Sequence, residues 1–120
     1  MNPRTPEAIN RPALVTASAP RVGGLGEREG ARVEAVAVDA DAPTGVYFVS
    51  HDESGHAFSY LRAGSAASRM TPATLPLASI RATRVLHLSA ISQAISATAC
   101  DASFAASDAA RAAGARVSYD

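Results

Sequence analysis

The sequence predicts an α/β protein made of a small β-hairpin sheet and one βαβ unit of a parallel sheet. Three observations carry this. Two runs rich in Val, Tyr and Phe, Val46–His51 and His56–Arg62, flank the turn Asp52-Glu53-Ser54-Gly55, which is the pattern of a β-hairpin. A short apolar run, Arg84–Leu88, precedes an alanine-rich stretch that opens at Ser96, and alanine is the best helix former. A further β-prone run starts at Val117–Tyr119. Strand, helix and strand in that order imply a parallel pair joined by a right-handed crossover.

Taken in order, Met1–Gly30 is the least regular part. Pro3, Pro6, Pro12 and Pro20 oppose helix and central strand, leaving only Pro12–Ala19 for a short strand. Gly23, Gly24, Gly26 and Gly30 fit neither G-x-G-x-x-G nor the Walker A spacing, so an ordinary loop is expected there. Arg32–Asp39 (RVEAVAVD) alternates as a strand, and Asp39–Thr44 is a turn-rich connector. With the hairpin, that strand would bring the β-elements to three, about the minimum for a sheet that stands unaided.

Ala63–Arg69 reads as a small-residue loop. Thr71-Pro72 reads as an N-cap followed by proline at the first helical position, with Pro76 cutting the helix short. Arg84–Leu88 is a buried strand and Ser89–Ser96 a loop at its C-terminal end, where open α/β sheets bind ligands. Ser96 caps a helix to about Ala113, and Gly114 is its C′ residue. Ala97, Cys100 and Phe104 lie at helical spacing and are the expected core stripe, with Asp101 and Asp108 on the exposed face. The organisation expected is a divergent segment over 1–30, the hairpin region over 31–69 and the βαβ part over 70–120.

Composition narrows the chemistry. The 120 residues carry 11 basic and 11 acidic side chains, and 48% are hydrophobic. This is the balance of a globular domain, without the basic stripe that nucleic acid or an anionic membrane requires. Every basic residue is Arg; the absence of Lys excludes Schiff-base chemistry and a P-loop lysine. A single cysteine, Cys100, excludes an internal disulfide. His51, His56 and His87 lack a zinc-ligand spacing with it, so no metal is expected. His87, between two leucines, reads as a satisfied sheet residue. No apolar run approaches the ~20 residues of a membrane span, and the N-terminus lacks the pattern of a secretory signal. A cytoplasmic location is the expectation.

The hairpin holds the candidate site. Closed without a bulge, it sets His51 opposite His56, Val49 opposite Phe58 and Tyr47 opposite Tyr60. Because side chains alternate along a strand, Tyr47, Tyr60 and Arg62 then share one face, with Gly45 opposite Arg62 leaving room. Two phenols and a guanidinium can grip a small, hydroxylated anion, since Arg offers a planar fork to a carboxylate. The same pattern also serves simply as a cross-strand aromatic pair that stabilises a hairpin.

The segments TGVYF at 44–48, SYLRAGSAASRMTP at 59–72 and RVLHLSAIS at 84–92, in that order, resemble the ribokinase-like (PfkB) carbohydrate kinases. The likeness is greatest to their 2-keto-3-deoxygluconate kinase branch and runs from about Gly30 to the C-terminus. It implies a partial ribokinase-like fold, in which the hairpin belongs to a β-lid over the sugar site. It implies that Tyr47 and Tyr60 contact the sugar and that Arg62 faces its carboxylate. ATP and Mg2+ are the family's cofactors. Asp120 matches the first residue of the family's D-x-N-x-R pattern. The anion-hole glycines and the general-base aspartate of the G-A-G-D signature have no counterpart in these 120 residues. No catalytic residue is therefore assigned, and no ATP binding or kinase activity is expected of this chain alone. Three readings follow: a substrate-gripping fragment of a sugar acid kinase, with a fructokinase or other ribokinase relative as the alternative; a non-catalytic β-lid module that forms a homodimer; and a gene remnant without a role.

Overall fold

A computed structural model describes residues 28, 30, 33–53 and 55–120. The expected strand at Pro12–Ala19 and the glycines 23, 24 and 26 lie outside the described residues. Strand β1 (Val46–Asp52) pairs antiparallel with β2 (Gly55–Leu61). After two short 3-10 turns, Ala66–Arg69 and Pro72–Thr74, come helix α1 (Leu77–Arg81), strand β3 (Val85–Leu88), helix α2 (Ala90–Ala94), helix α3 (Ala97–Ala112) and strand β4 (Arg116–Tyr119). The two sheets are separate: β1 with β2, and β3 parallel to β4. The expected βαβ unit is present, as is the hairpin.

The hairpin register is the one the sequence implies: Tyr47 opposite Tyr60, Val49 opposite Phe58 and His51 opposite His56. Gly55 has φ +128°, a conformation side-chain-bearing residues seldom adopt, and it starts β2 directly after the turn. At Pro72, Thr74 Oγ1 accepts from the Thr71 N–H at 3.0 Å and donates to the Thr71 carbonyl at 2.9 Å. Pro76, as expected, ends one helical piece, and α1 starts directly after it.

Helix α3 begins and ends as the sequence implies. Ser96 Oγ accepts from the Ala99 N–H at 3.0 Å, filling one of the donors left open at a helix start. The same hydroxyl donates to the Ser68 carbonyl at 2.6 Å, tying the segment after the hairpin to the helix. Gly114 takes φ +83° after the last turn.

The core lies between α3 and the β3–β4 pair. Leu75, Ile80, Leu86, Ala102, Ala106 and Ala110 form it, with Met70, Leu88 and Val117 packed against its rim. Four expectations are corrected here. Residues 33–39 are not a strand: the Val36 N–H bonds back to the Val33 carbonyl at 2.9 Å in a turn, and no described strand lies beside them to pair with. Arg32 itself is outside the described residues, and the hairpin stands as a two-stranded sheet. The segment 89–96 is not all loop: α2 forms there, capped by Ser89 Oγ accepting from the Ile91 N–H at 3.3 Å. The Ala90 N–H also bonds to the Asp120 carbonyl at 2.7 Å, which anchors that turn to the end of β4.

The third correction concerns α3's inner face. It carries Ala99, Ala102, Ser103, Ala106 and Ala110, whereas Phe104 is 59% exposed, Ala97 is exposed and Cys100 half-buried. The inner face is built of small residues, which let the helix backbone come close to its neighbours. A benzyl group has no room there and projects to solvent. Buried Ser103 is satisfied by donating to the Ala99 carbonyl at 2.8 Å. Fourth, the strand before α2 starts at Val85 rather than Arg84. Asp101 and Asp108 lie on the exposed side as expected. No helix among the described residues is long and apolar enough to cross a membrane.

Candidate functional site

The hairpin is where the candidate side chains sit, and its base is pinned to the segment that follows. The Ala66 N–H donates to the Pro43 carbonyl at 2.8 Å, closing the chain across the two ends of the hairpin. Gly64, with φ +70°, turns the backbone after β2 so that Ser65 and Ala66 point inward and are buried. A side chain on Gly45 would meet Ser65 Oγ at 3.4 Å and Arg62 Cγ at 3.7 Å. The glycine is therefore the space beside which Arg62 passes, as the register implies.

Tyr47, Tyr60 and Arg62 come together on one face. The tyrosine ring centroids are 6.2 Å apart with planes tilted by 41°. The Arg62 guanidinium carbon lies 3.9 Å from the centre of the Tyr60 ring, a cation–π contact that orients the fork without consuming its N–H edge. Among the described residues no carboxylate pairs with Arg62, and neither phenol hydroxyl has a hydrogen-bond partner. Both tyrosines are more than half exposed. The face thus offers two donor–acceptor hydroxyls and an unpaired, held guanidinium, the complement of a hydroxylated carboxylate.

Two residues join this face that the sequence reading did not assign to it. Phe58 stacks parallel to Tyr60, 6.2 Å centroid to centroid with planes 8° apart, and is 6.4 Å from Tyr47. Its position two residues before Tyr60 is the signal that places it there. Ser65 is 1% exposed, and its Oγ has no hydrogen-bond partner. Such a buried, unpaired hydroxyl is uncommon, and it lies against Gly45 at the base of the same face. Nothing in the sequence marks it, because burial depends on the fold.

Elsewhere, a cavity of about 390 Å³ is lined by Ala35, Val38, Asp39, Asp41, Arg69 and Met70, among others. It does not include the tyrosines or Arg62. Arg69 is drawn to Asp39 at 3.4 Å, so the cavity wall is on balance acidic. His87 is half exposed on β3, with Nδ1 3.2 Å from Ser118 Oγ and Nε2 3.8 Å from Asp120 Oδ1. It is a polar sheet residue, as expected.

No protein-family model matches the sequence, and no curated protein does. Solved structures do match. A PfkB protein from Polaromonas sp. JS666 superposes with a TM-score of 0.80 and 32% identity, over 88% of this chain and 38% of its own. A fructokinase with bound ATP from Xylella fastidiosa gives 0.79 and 21%, over 88% of this chain and 34% of its own. A putative 2-keto-3-deoxygluconate kinase from Enterococcus faecalis gives 0.76 and 21%, over 90% and 34%. The chain spans a little over a third of the length of these relatives. The likeness that three sequence motifs carry is thus matched by the backbone, and this chain has part of the ribokinase-like (PfkB) sugar kinase fold.

Proposed function

We propose that this chain supplies the substrate-gripping part of a sugar acid kinase, with 2-keto-3-deoxygluconate as the sugar acid. The observation that carries the reading is the convergence of Tyr47, Tyr60 and Arg62 on one hairpin face, with the guanidinium stacked 3.9 Å over the Tyr60 ring. Arg62 holds the carboxylate through paired N–H donors, and the two phenols take the hydroxyl or keto oxygens. A fructokinase role is the alternative, but fructose has no carboxylate for Arg62 to meet. A cytoplasmic location goes with this reading.

The phosphate donor is a different matter. The fructokinase that this chain is similar to binds ATP, and the family implies Mg2+ with it. The residues described here do not fit that group. The start of α3 is occupied by the Ser96 side chain rather than opened by a glycine loop, and the cavity beside Arg69 and Met70 carries Asp39 and Asp41. Those carboxylates would repel a triphosphate. No phosphoryl transfer step is therefore assigned to this chain.

The test is a calorimetric titration of the chain with ketodeoxygluconate and, separately, with fructose. Only the sugar acid is expected to bind. Arg62→Ala should weaken binding about 10- to 100-fold, the range for losing hydrogen bonds to a charged group. Arg62→Lys should also weaken it, because a point charge does not replace a bidentate fork. An equal response to fructose, or an Arg62→Ala chain that binds unchanged, would remove the assignment.

A second reading rests on the opposite face of the hairpin. Val46, Phe48 and Leu61 are 45%, 60% and 63% exposed there, beside strand edges of a two-stranded sheet. Exposed apolar strands of this kind favour pairing with another chain. We therefore propose that the hairpin also mediates a homodimer. Size-exclusion chromatography with light scattering should give twice the chain mass, 2 × 12.2 kDa, and a monomer at all concentrations would end the reading.

A further inference from the structure

His51 and His56 face each other across the hairpin, next to its turn. Their ring centroids are 4.5 Å apart, with planes at 75°. Both rings are exposed, and neither has a hydrogen-bond or ion-pair partner among the described residues. This differs from His87, whose Nδ1 sits beside Ser118 Oγ.

We infer that this pair is a two-imidazole clip for one borderline divalent ion of the Zn2+, Ni2+ or Cu2+ class. Imidazole nitrogen suits these ions. Two nitrogens bound to one tetrahedral ion at 2.0–2.1 Å stand about 3.3 Å from each other. Rings whose centres are 4.5 Å apart reach that spacing by small side-chain rotations. No internal bond has to be broken first, and the paired strands hold both side chains on one side. Among the described residues no group of three or more ligating side chains exists, so water fills the other positions. The ion fastens β1 to β2 at the turn end.

This site is separate from the one proposed for the sugar acid. Tyr47 and Tyr60 lie four residues along each strand from His51 and His56, about 13 Å at the rise of an antiparallel strand. It also stands independently of that reading, since it uses none of the same side chains.

The experiment is a calorimetric titration of the full chain with zinc chloride, repeated with nickel chloride. One ion per chain is expected. His51→Ala and His56→Ala should each weaken binding about 100-fold, because the second imidazole binds intramolecularly at high effective concentration. His87→Ala and Arg62→Ala should leave it unchanged. Both mutated histidines are exposed, so circular dichroism should show the same fold in each variant. Absence of binding, binding that survives His56→Ala, binding lost in His87→Ala, or one ion shared by two chains would each overturn the inference.

Discussion

Replacing Ile80 with Ala is expected to lower the unfolding free energy by about 3 kcal/mol, within the range for buried Ile-to-Ala changes. Ile80 is 1% exposed and the largest fully buried apolar side chain of the core. It projects from α1 into the cluster with Leu75, Leu86 and the α3 alanines. Truncation removes apolar contact and leaves a cavity that short elements on either side cannot fully close. Since small domains are stable by only about 5–15 kcal/mol in total, the loss should appear as a large drop in the urea midpoint. Phe104→Ala is the matched control. It deletes a larger side chain, but one that is 59% exposed, and should change the midpoint little. If the two variants unfold alike, the core has been placed on the wrong side of α3.

Ala102→Leu probes the same interface from the other direction. Ala102 is fully buried on the inner face of α3. Adding an isobutyl group there forces the helix away from its neighbours or pushes side chains off their rotamers. Overpacking of this kind costs about 1–3 kcal/mol, occasionally more. Leucine is nearly as good a helix former as alanine, so propensity does not account for the loss. The check is a lowered urea midpoint with unchanged helix content by far-ultraviolet circular dichroism. An unaffected midpoint would mean that the alanine face is loosely packed.

These two variants also mark where reading the sequence stops. The hairpin register was legible because turn residues separate two alternating runs, so the pairing from Tyr47–Tyr60 to His51–His56 follows from counting outward from the turn. The ends of α3 were legible because Ser96 and Gly114 carry their own local chemistry. The inner face of α3 was not. Large apolar residues are the usual guide to a core, and here the close approach of the helix selects alanine and serine instead. Residues 33–39 misled for a different reason. Their alternation is that of a strand, but a strand exists only beside a partner, and the sequence does not state which edges are adjacent. The short helix α2 depends on the Asp120 carbonyl, thirty residues from the Ala90 N–H that it accepts from. At the candidate site, alternation and the resemblance brought Tyr47, Tyr60 and Arg62 to one face, whereas the unpaired hydroxyl of Ser65 required the folded backbone to be seen.

No side chain of β1 or β2 belongs to the described core cluster. Among the described residues, the backbone bonds that tie the ends of the hairpin to the segment after it include Ala66 N–H to the Pro43 carbonyl and Ser65 N–H to the Arg62 carbonyl. Cooperativity needs shared packing, so the hairpin and the α/β portion are expected to unfold separately rather than as a single all-or-none unit. The hairpin can part and re-form while the α/β portion stays intact, and a ligand gripped by the tyrosines and Arg62 would strengthen that weaker unit without raising the midpoint of the other.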